Sequence, residues 1–92
     1  MTFTYPAIFK RTEKGTYEGY FPDLRLCKAS GETLEDAVLN AHDAAFDWIT
    51  LELGEEDPAM PAISEKADLH LKDGEIVRNI CVNIRFTEGW DE

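Results

Sequence analysis

The chain has 92 residues, 43% of them hydrophobic, and its 19 acidic against 9 basic side chains leave a net charge of −10. That size suits a single domain with a modest core, and that hydrophobic share excludes a disordered chain. The charge repels phosphate backbones and so disfavours direct nucleic-acid binding; its natural complement is a basic protein, and its plainest use is solubility.

No apolar run approaches ~20 residues and the N-terminus lacks a signal-peptide pattern, so no membrane span and a cytoplasmic location are expected. Two cysteines do not make a disulfide scaffold, and they fit a reducing compartment.

Residues 3–10 are rich in aromatic and β-branched types and predict a first strand. Pro6 cannot donate a ladder bond, which places it at a strand start, at a bulge, or where the neighbouring strand leaves a gap. Phe3, Tyr5 and Phe9 fall on one side of this strand and Ile8 on the other. A polar turn with Gly15 leads to a second strand over 17–21, paired with the first as a hairpin. Gly19 inside it marks a bulge or a close backbone approach. Pro22 and Asp23 end the strand. Asp23 is expected to bond local amides and Leu24 to tuck under a helix. A short third strand is expected over 26–29, containing Cys27.

The helix carries the clearest pattern. Thr33 is a good N-cap and Asp36, three residues later, suits a capping box. Leu34, Ala37, Val38, Ala41, Ala45 and Trp48 recur on one face, and Asp36, Asn40, Asp43 and Asp47 on the opposite one. Gly54 follows the last apolar residue, so the spacing predicts a helix over 34–53. Leu39, His42, Phe46 and Leu53 form a second apolar stripe, suited to packing on the connector or to a homo-oligomer contact.

Prolines and acids over 55–62 predict an extended connector, and 63–72 suits either a short helical turn or a strand. Asp73-Gly74 signals a turn. Over 76–86 a strand is expected, with Ile80, Val82, Ile84 and Phe86 alternating with Asn79, Cys81, Asn83 and Arg85. Trp90 stands out in a polar tail as a residue that folds back or meets a partner.

The fold class is therefore α+β with the order β-β-β-α-β. Three strands form an antiparallel meander and one helix packs on one sheet face. A right-handed crossover favours a last strand parallel to the first, in the sheet order 3-2-1-4. The opposite face is left open, and apolar and aromatic side chains on it would invite a partner. Cys27 and Cys81 then lie at opposite edges, too far apart for a disulfide.

Tyr5-Pro6-Ala7-Ile8, Gly19-Tyr20-Phe21-Pro22-Asp23-Leu24, Cys27, and Gly31-Glu32-Thr33-Leu34-Glu35-Asp36-Ala37 followed by Asn40-Ala41 stand together at a fairly specific spacing. In these residues the chain resembles the N-terminal domain of HicB-type antitoxins, well over residues 5–48 and in position at the late strand. The resemblance implies a partial RNase H-like fold and a HicA-type toxin as partner, a small basic RNA-cleaving protein blocked by binding. Many members carry a C-terminal DNA-binding module; none is expected within these 92 residues, and direct DNA binding is not expected either.

RNase H chemistry requires carboxylates converging on metal ions. Residues 3–10 and 76–86 hold no Asp or Glu, and Glu18 and Asp23 alone do not make such a site. His42 and His70 lack partners at metal-ligand spacing. No catalytic residue, metal or cofactor is expected. The expected partner-binding residues are Tyr17, Tyr20, Phe21, Asp23, Asp36, Asp43 and Asp47, and the expected oligomer contact, for a homodimer or larger, is Leu39, Phe46 and Leu53. The alternatives are a stand-alone HicB-like protein that binds RNA or a small ligand on the open sheet face, and a structural oligomerisation module.

Overall fold

Threonine, tyrosine, phenylalanine and isoleucine crowd the start of the chain, and there they take extended backbone, for which their side chains are suited. The computed structural model describes residues 2–55, 60–64 and 69–84. Strands β1 (Thr2–Arg11), β2 (Tyr17–Tyr20) and β3 (Lys28–Gly31) precede helix α1 (Leu34–Leu53) and strand β4 (Glu75–Asn83). The sheet order is β3-β2-β1-β4, as expected, and β1–β2 and β2–β3 pair antiparallel. Pro6 lies beyond the end of β2, which pairs only with Ile8–Arg11, so its missing N–H costs that ladder nothing.

The direction of β4 differs from the expected parallel pairing. It runs antiparallel to β1, from Thr2 opposite Asn83 to Lys10 opposite Glu75. A right-handed crossover governs a strand that starts where the helix ends. Here α1 spans ~30 Å, carrying the chain to the far end of the sheet, and β4 begins back at the other end. The connector supplies the reversal, so no parallel crossover is formed.

A boundary also moves. Strand β3 begins at Lys28 rather than 26, because Leu26 has a left-handed backbone that cannot enter a ladder. Cys27 therefore sits in the turn before β3. Its thiol is buried and free, and Cys81 on β4 is exposed and free. Phe86 and Trp90 lie outside the described residues.

Ala37, Ala41, Ala45 and Ile49 are the buried seam of α1, each at 1% exposure or less. Their spacing of four keeps one line along the helix, and the three alanines let it lie close to the sheet. Ile49 belongs to this seam, although the expected core face omitted it; Leu34, Val38 and Trp48 sit on its shoulders and are partly buried. Tyr5, Ala7 and Phe9 of β1 and Ile80, Val82 and Ile84 of the last strand region join the same core, together with Phe21, Leu24 and Cys27. Burial of each large aliphatic or aromatic side chain contributes about 1.5–3 kcal/mol.

Two glycines permit this packing. A Cβ on Gly19 would run into the ring of Phe9, which lies across it in the opposite strand position. A Cβ on Gly31 would meet the backbone of Asp36 and Ala37, where β3 passes under the first turn of α1. That turn is capped as expected: the Asp36 N–H donates to Thr33 Oγ1 at 3.1 Å, and Glu35 and Asp36 place negative charge at the helix N-terminus.

Candidate functional site

Strand alternation sorts the surface. Phe3, Tyr5 and Phe9 all point to the helix side, so β1 contributes no aromatic to the open face. The opposite face, expected to be open and apolar, carries instead two cross-strand rows, and its apolar centre, Pro6, Ile8 and Val77, is buried. One is Glu75, Lys10, Glu18 and Ser30, and the next is Val77, Ile8, Tyr20 and Lys28. Lys10 thus stands between two carboxylates, and Lys28 stands beside Tyr20. A depression of about 600 Å³ lies over these rows, with Ile8 in its lining. Its charges balance, two lysines against two glutamates, so it offers no excess of positive charge to a phosphate backbone.

The expected partner-binding residues fall into four separate places. Tyr20 is on the open face and 44% exposed. Tyr17, three positions earlier on the same strand, faces the helix side and packs half-buried against the core. Phe21 is 3% exposed and belongs to the core, so its side chain does not reach the surface. Asp36, Asp43 and Asp47 are exposed on the outer side of α1, across the sheet from Tyr20. No single flat partner covers both sets.

Asp23 holds a fourth place. Its Oδ2 accepts the backbone N–H of Ser64 at 2.8 Å and its Oδ1 accepts the Ser64 hydroxyl at 2.6 Å. The expected bonds to local amides are replaced by this clasp on the connector, 41 residues away in sequence. The Tyr5 hydroxyl donates to the carbonyl of Pro61 at 2.7 Å beside it. Burial, with the nearby charge of Asp23 as the smaller cause, raises the Tyr5 phenol above its ordinary pKa of 10.0. Burial likewise raises the Cys27 thiol. No local sequence signal joins Asp23 to Ser64 or Tyr5 to Pro61, so sequence reasoning missed both anchors.

On the helix, Leu39 is 65% and Phe46 39% exposed, whereas Leu53 packs partly buried against the core with Met60 of the connector. The second stripe is therefore split, its C-terminal member packing on the core. His42 lies between the exposed pair, its Nδ1 3.9 Å from Asp43 Oδ1. Asn40 Nδ2 donates to the Ser30 carbonyl at 2.7 Å, which ties the helix to edge strand β3 instead of leaving this side chain to solvent. Among the described residues no group of three or more His, Cys, Asp or Glu side chains could hold a metal ion, and no helix is long and apolar enough to cross a membrane.

An antiparallel four-stranded sheet with one capped helix on one face defines an α+β domain. A family profile described as the HicB-like antitoxin of bacterial toxin–antitoxin systems matches residues 5–88. The chain belongs to the HicB-like antitoxin family. It is similar in fold to the N-terminal domain of the Burkholderia pseudomallei antitoxin HicB, with a TM-score of 0.73 and 23% identity over 89% of this chain and 100% of that one. It is also similar to a chain of a toxin–antitoxin complex from Streptococcus pneumoniae, with a TM-score of 0.68 and 24% identity over 90% of this chain and 70% of that one. A third similar chain comes from a HicA3 and HicB3 toxin–antitoxin complex, with a TM-score of 0.65 and 26% identity over 89% and 100%. No curated protein matches the sequence.

Proposed function

We propose that this chain is the antitoxin for a HicA-type toxin, a small basic RNA-cleaving protein that it neutralises by binding, without catalysis of its own. The observation that carries the reading is the family match over residues 5–88 of the 92. Physical chemistry supports it on two counts. A net charge of −10 attracts a basic partner and speeds encounter. Asp36, Asp43 and Asp47 present part of that charge on one exposed helix face, while Tyr20 marks a second contact region on the open sheet face. A toxin that used both would wrap the domain's edge.

The same reading places the protein in the cytoplasm with its target, as a homodimer or larger assembly through Leu39 and Phe46. It assigns the chain no specific contact with DNA, since no basic reading helix is present among the described residues. RNA binding on the open face is the weaker alternative, because Lys10 and Lys28 are offset there by Glu18 and Glu75.

Co-expression tests the proposal. A HicA-type toxin from the neighbouring reading frame should arrest growth alone and be neutralised by this chain, and the two should co-purify. Arrest that persists with the chain present and soluble would sink the reading.

A further inference from the structure

Leu26 is the one described residue other than glycine with a positive φ, at 62°. Its side chain is 83% exposed, while Leu24, two positions earlier, is fully buried. Left-handed backbone is costly for leucine because its Cβ crowds the following carbonyl. An exposed side chain recovers none of that cost within the fold.

The surroundings impose the conformation. The turn is closed by the Phe21 N–H donating to the Cys27 carbonyl at 3.1 Å, Leu24 N–H to Phe21 at 3.3 Å, and Cys27 N–H to Leu24 at 3.0 Å. From the helix, Trp48 Nε1–H donates to the Arg25 carbonyl at 2.9 Å. Buried Leu24 and Cys27 anchor both sides of Leu26. Backbone strain over-determined in this way gathers at active sites, ligand clamps and switch regions.

Leu26 is not alone on the surface. Together with Leu51, which is 72% exposed, it lines a shallow depression of about 390 Å³ shared with Arg25, Trp48, Glu52 and Glu55. Two large apolar side chains thus stand beside an indole, with carboxylates on the rim. Asp47, adjacent to Trp48 on α1, adds a further exposed acid.

We propose that Leu26 and Leu51 are the apolar anchor on which the basic toxin seats, with Glu55 and the neighbouring Asp47 facing its cations; this rests on the antitoxin reading above. The local charge selects the occupant. A second copy paired here across a two-fold axis would set the same carboxylates against themselves, whereas a basic protein neutralises them. Central apolar residues ringed by polar ones are where interface energy concentrates, and their loss acts mainly on dissociation.

The test uses the HicA-type toxin of the neighbouring reading frame, purified as a catalytically inactive variant, with wild type, Leu26→Gly and Leu51→Ala. Glycine accepts the left-handed backbone freely, so Leu26→Gly raises the thermal midpoint of the antitoxin alone by about 4 °C. The same change speeds toxin dissociation at least about tenfold. Leu51→Ala, at an exposed helix position, leaves the midpoint within ~2 °C and speeds dissociation several-fold. If wild type binds and both variants dissociate at its rate, the anchor is wrong and the antitoxin reading stands. If wild type itself fails to bind, both fall. A drop in mass by light scattering for Leu26→Gly, with toxin dissociation unchanged, overturns the proposal in favour of a contact between copies.

Discussion

The carboxylate of Asp23 holds Ser64 at two points, taking the backbone N–H on one oxygen and the hydroxyl on the other. The turn after β2 is thereby fastened to the connector that precedes β4. Both groups are partly buried, so water replaces them poorly once one is removed. Asp23→Ala should destabilise the fold by about 1–3 kcal/mol, and Ser64→Ala, which keeps the backbone bond, by about 1 kcal/mol. Urea unfolding checks both. Equal stability of all three proteins would mean that the clasp is only a surface contact.

Tyr5 gives the clasp a pH dependence. The phenol donates to the Pro61 carbonyl only while protonated, and its folded-state pKa lies above the ordinary 10.0 because of burial and then Asp23. The folded state thus keeps its proton after the unfolded state has lost it. Stability from this group is complete below pH ~10 and declines as pH rises through the raised folded value. Absorbance titration should show one of the three tyrosines ionising late. In Tyr5→Phe that late step should vanish; its persistence would assign the shift to another tyrosine.

Gly19 and Gly31 should rank by what a methyl group meets. At Gly19 the obstacle is the side chain of Phe9, which can turn; at Gly31 it is helix backbone, which cannot. Gly19→Ala should cost about 1–3 kcal/mol, with Gly31→Ala at the upper end or beyond. Thermal and urea midpoints that reverse this order would contradict the packing of β3 under α1.

The acidic helix face should act on encounter. Long-range attraction between exposed charges fades beyond ~8 Å at physiological salt. The triple change of Asp36, Asp43 and Asp47 to Asn should slow association with a basic HicA-type toxin several-fold at low salt and alter dissociation less. Stopped-flow measurements at low and high salt decide it. Identical on-rates at low salt would remove this face from the mechanism.

Leu39 and Phe46 are exposed one heptad apart, with His42 between them. Pairing of this stripe across a two-fold axis would cover both side chains. Light scattering at tens of micromolar, an order-of-magnitude range for weak pairs, should show an assembly that Phe46→Glu dissociates. A monomer at that concentration would refute the pairing.

Local pattern alone determined much of this protein. The Thr33 cap and the spacing of apolar residues from Leu34 to Leu53 were enough to define the helix, because capping and 3.6-residue periodicity are short-range properties. Alternation at Ile80, Val82 and Ile84 identified the helix-facing side of the last strand for the same reason. The motif residues from Tyr5 to Ala41 carried the family. Tertiary structure decided the rest. The antiparallel direction of β4 depends on the end of the sheet at which it begins, which no periodicity encodes. Alternation puts Tyr17 and Phe21 on one side of β2 and Tyr20 on the other, and the packing of α1 on the first side is what buried Phe21. Asp23 found its partner 41 residues away, and Leu26 was turned outward by hydrogen bonds from its own turn and from Trp48. Each of these outcomes rests on contacts between residues distant in sequence, and such contacts exist only once the sheet, the helix and the connector are in place.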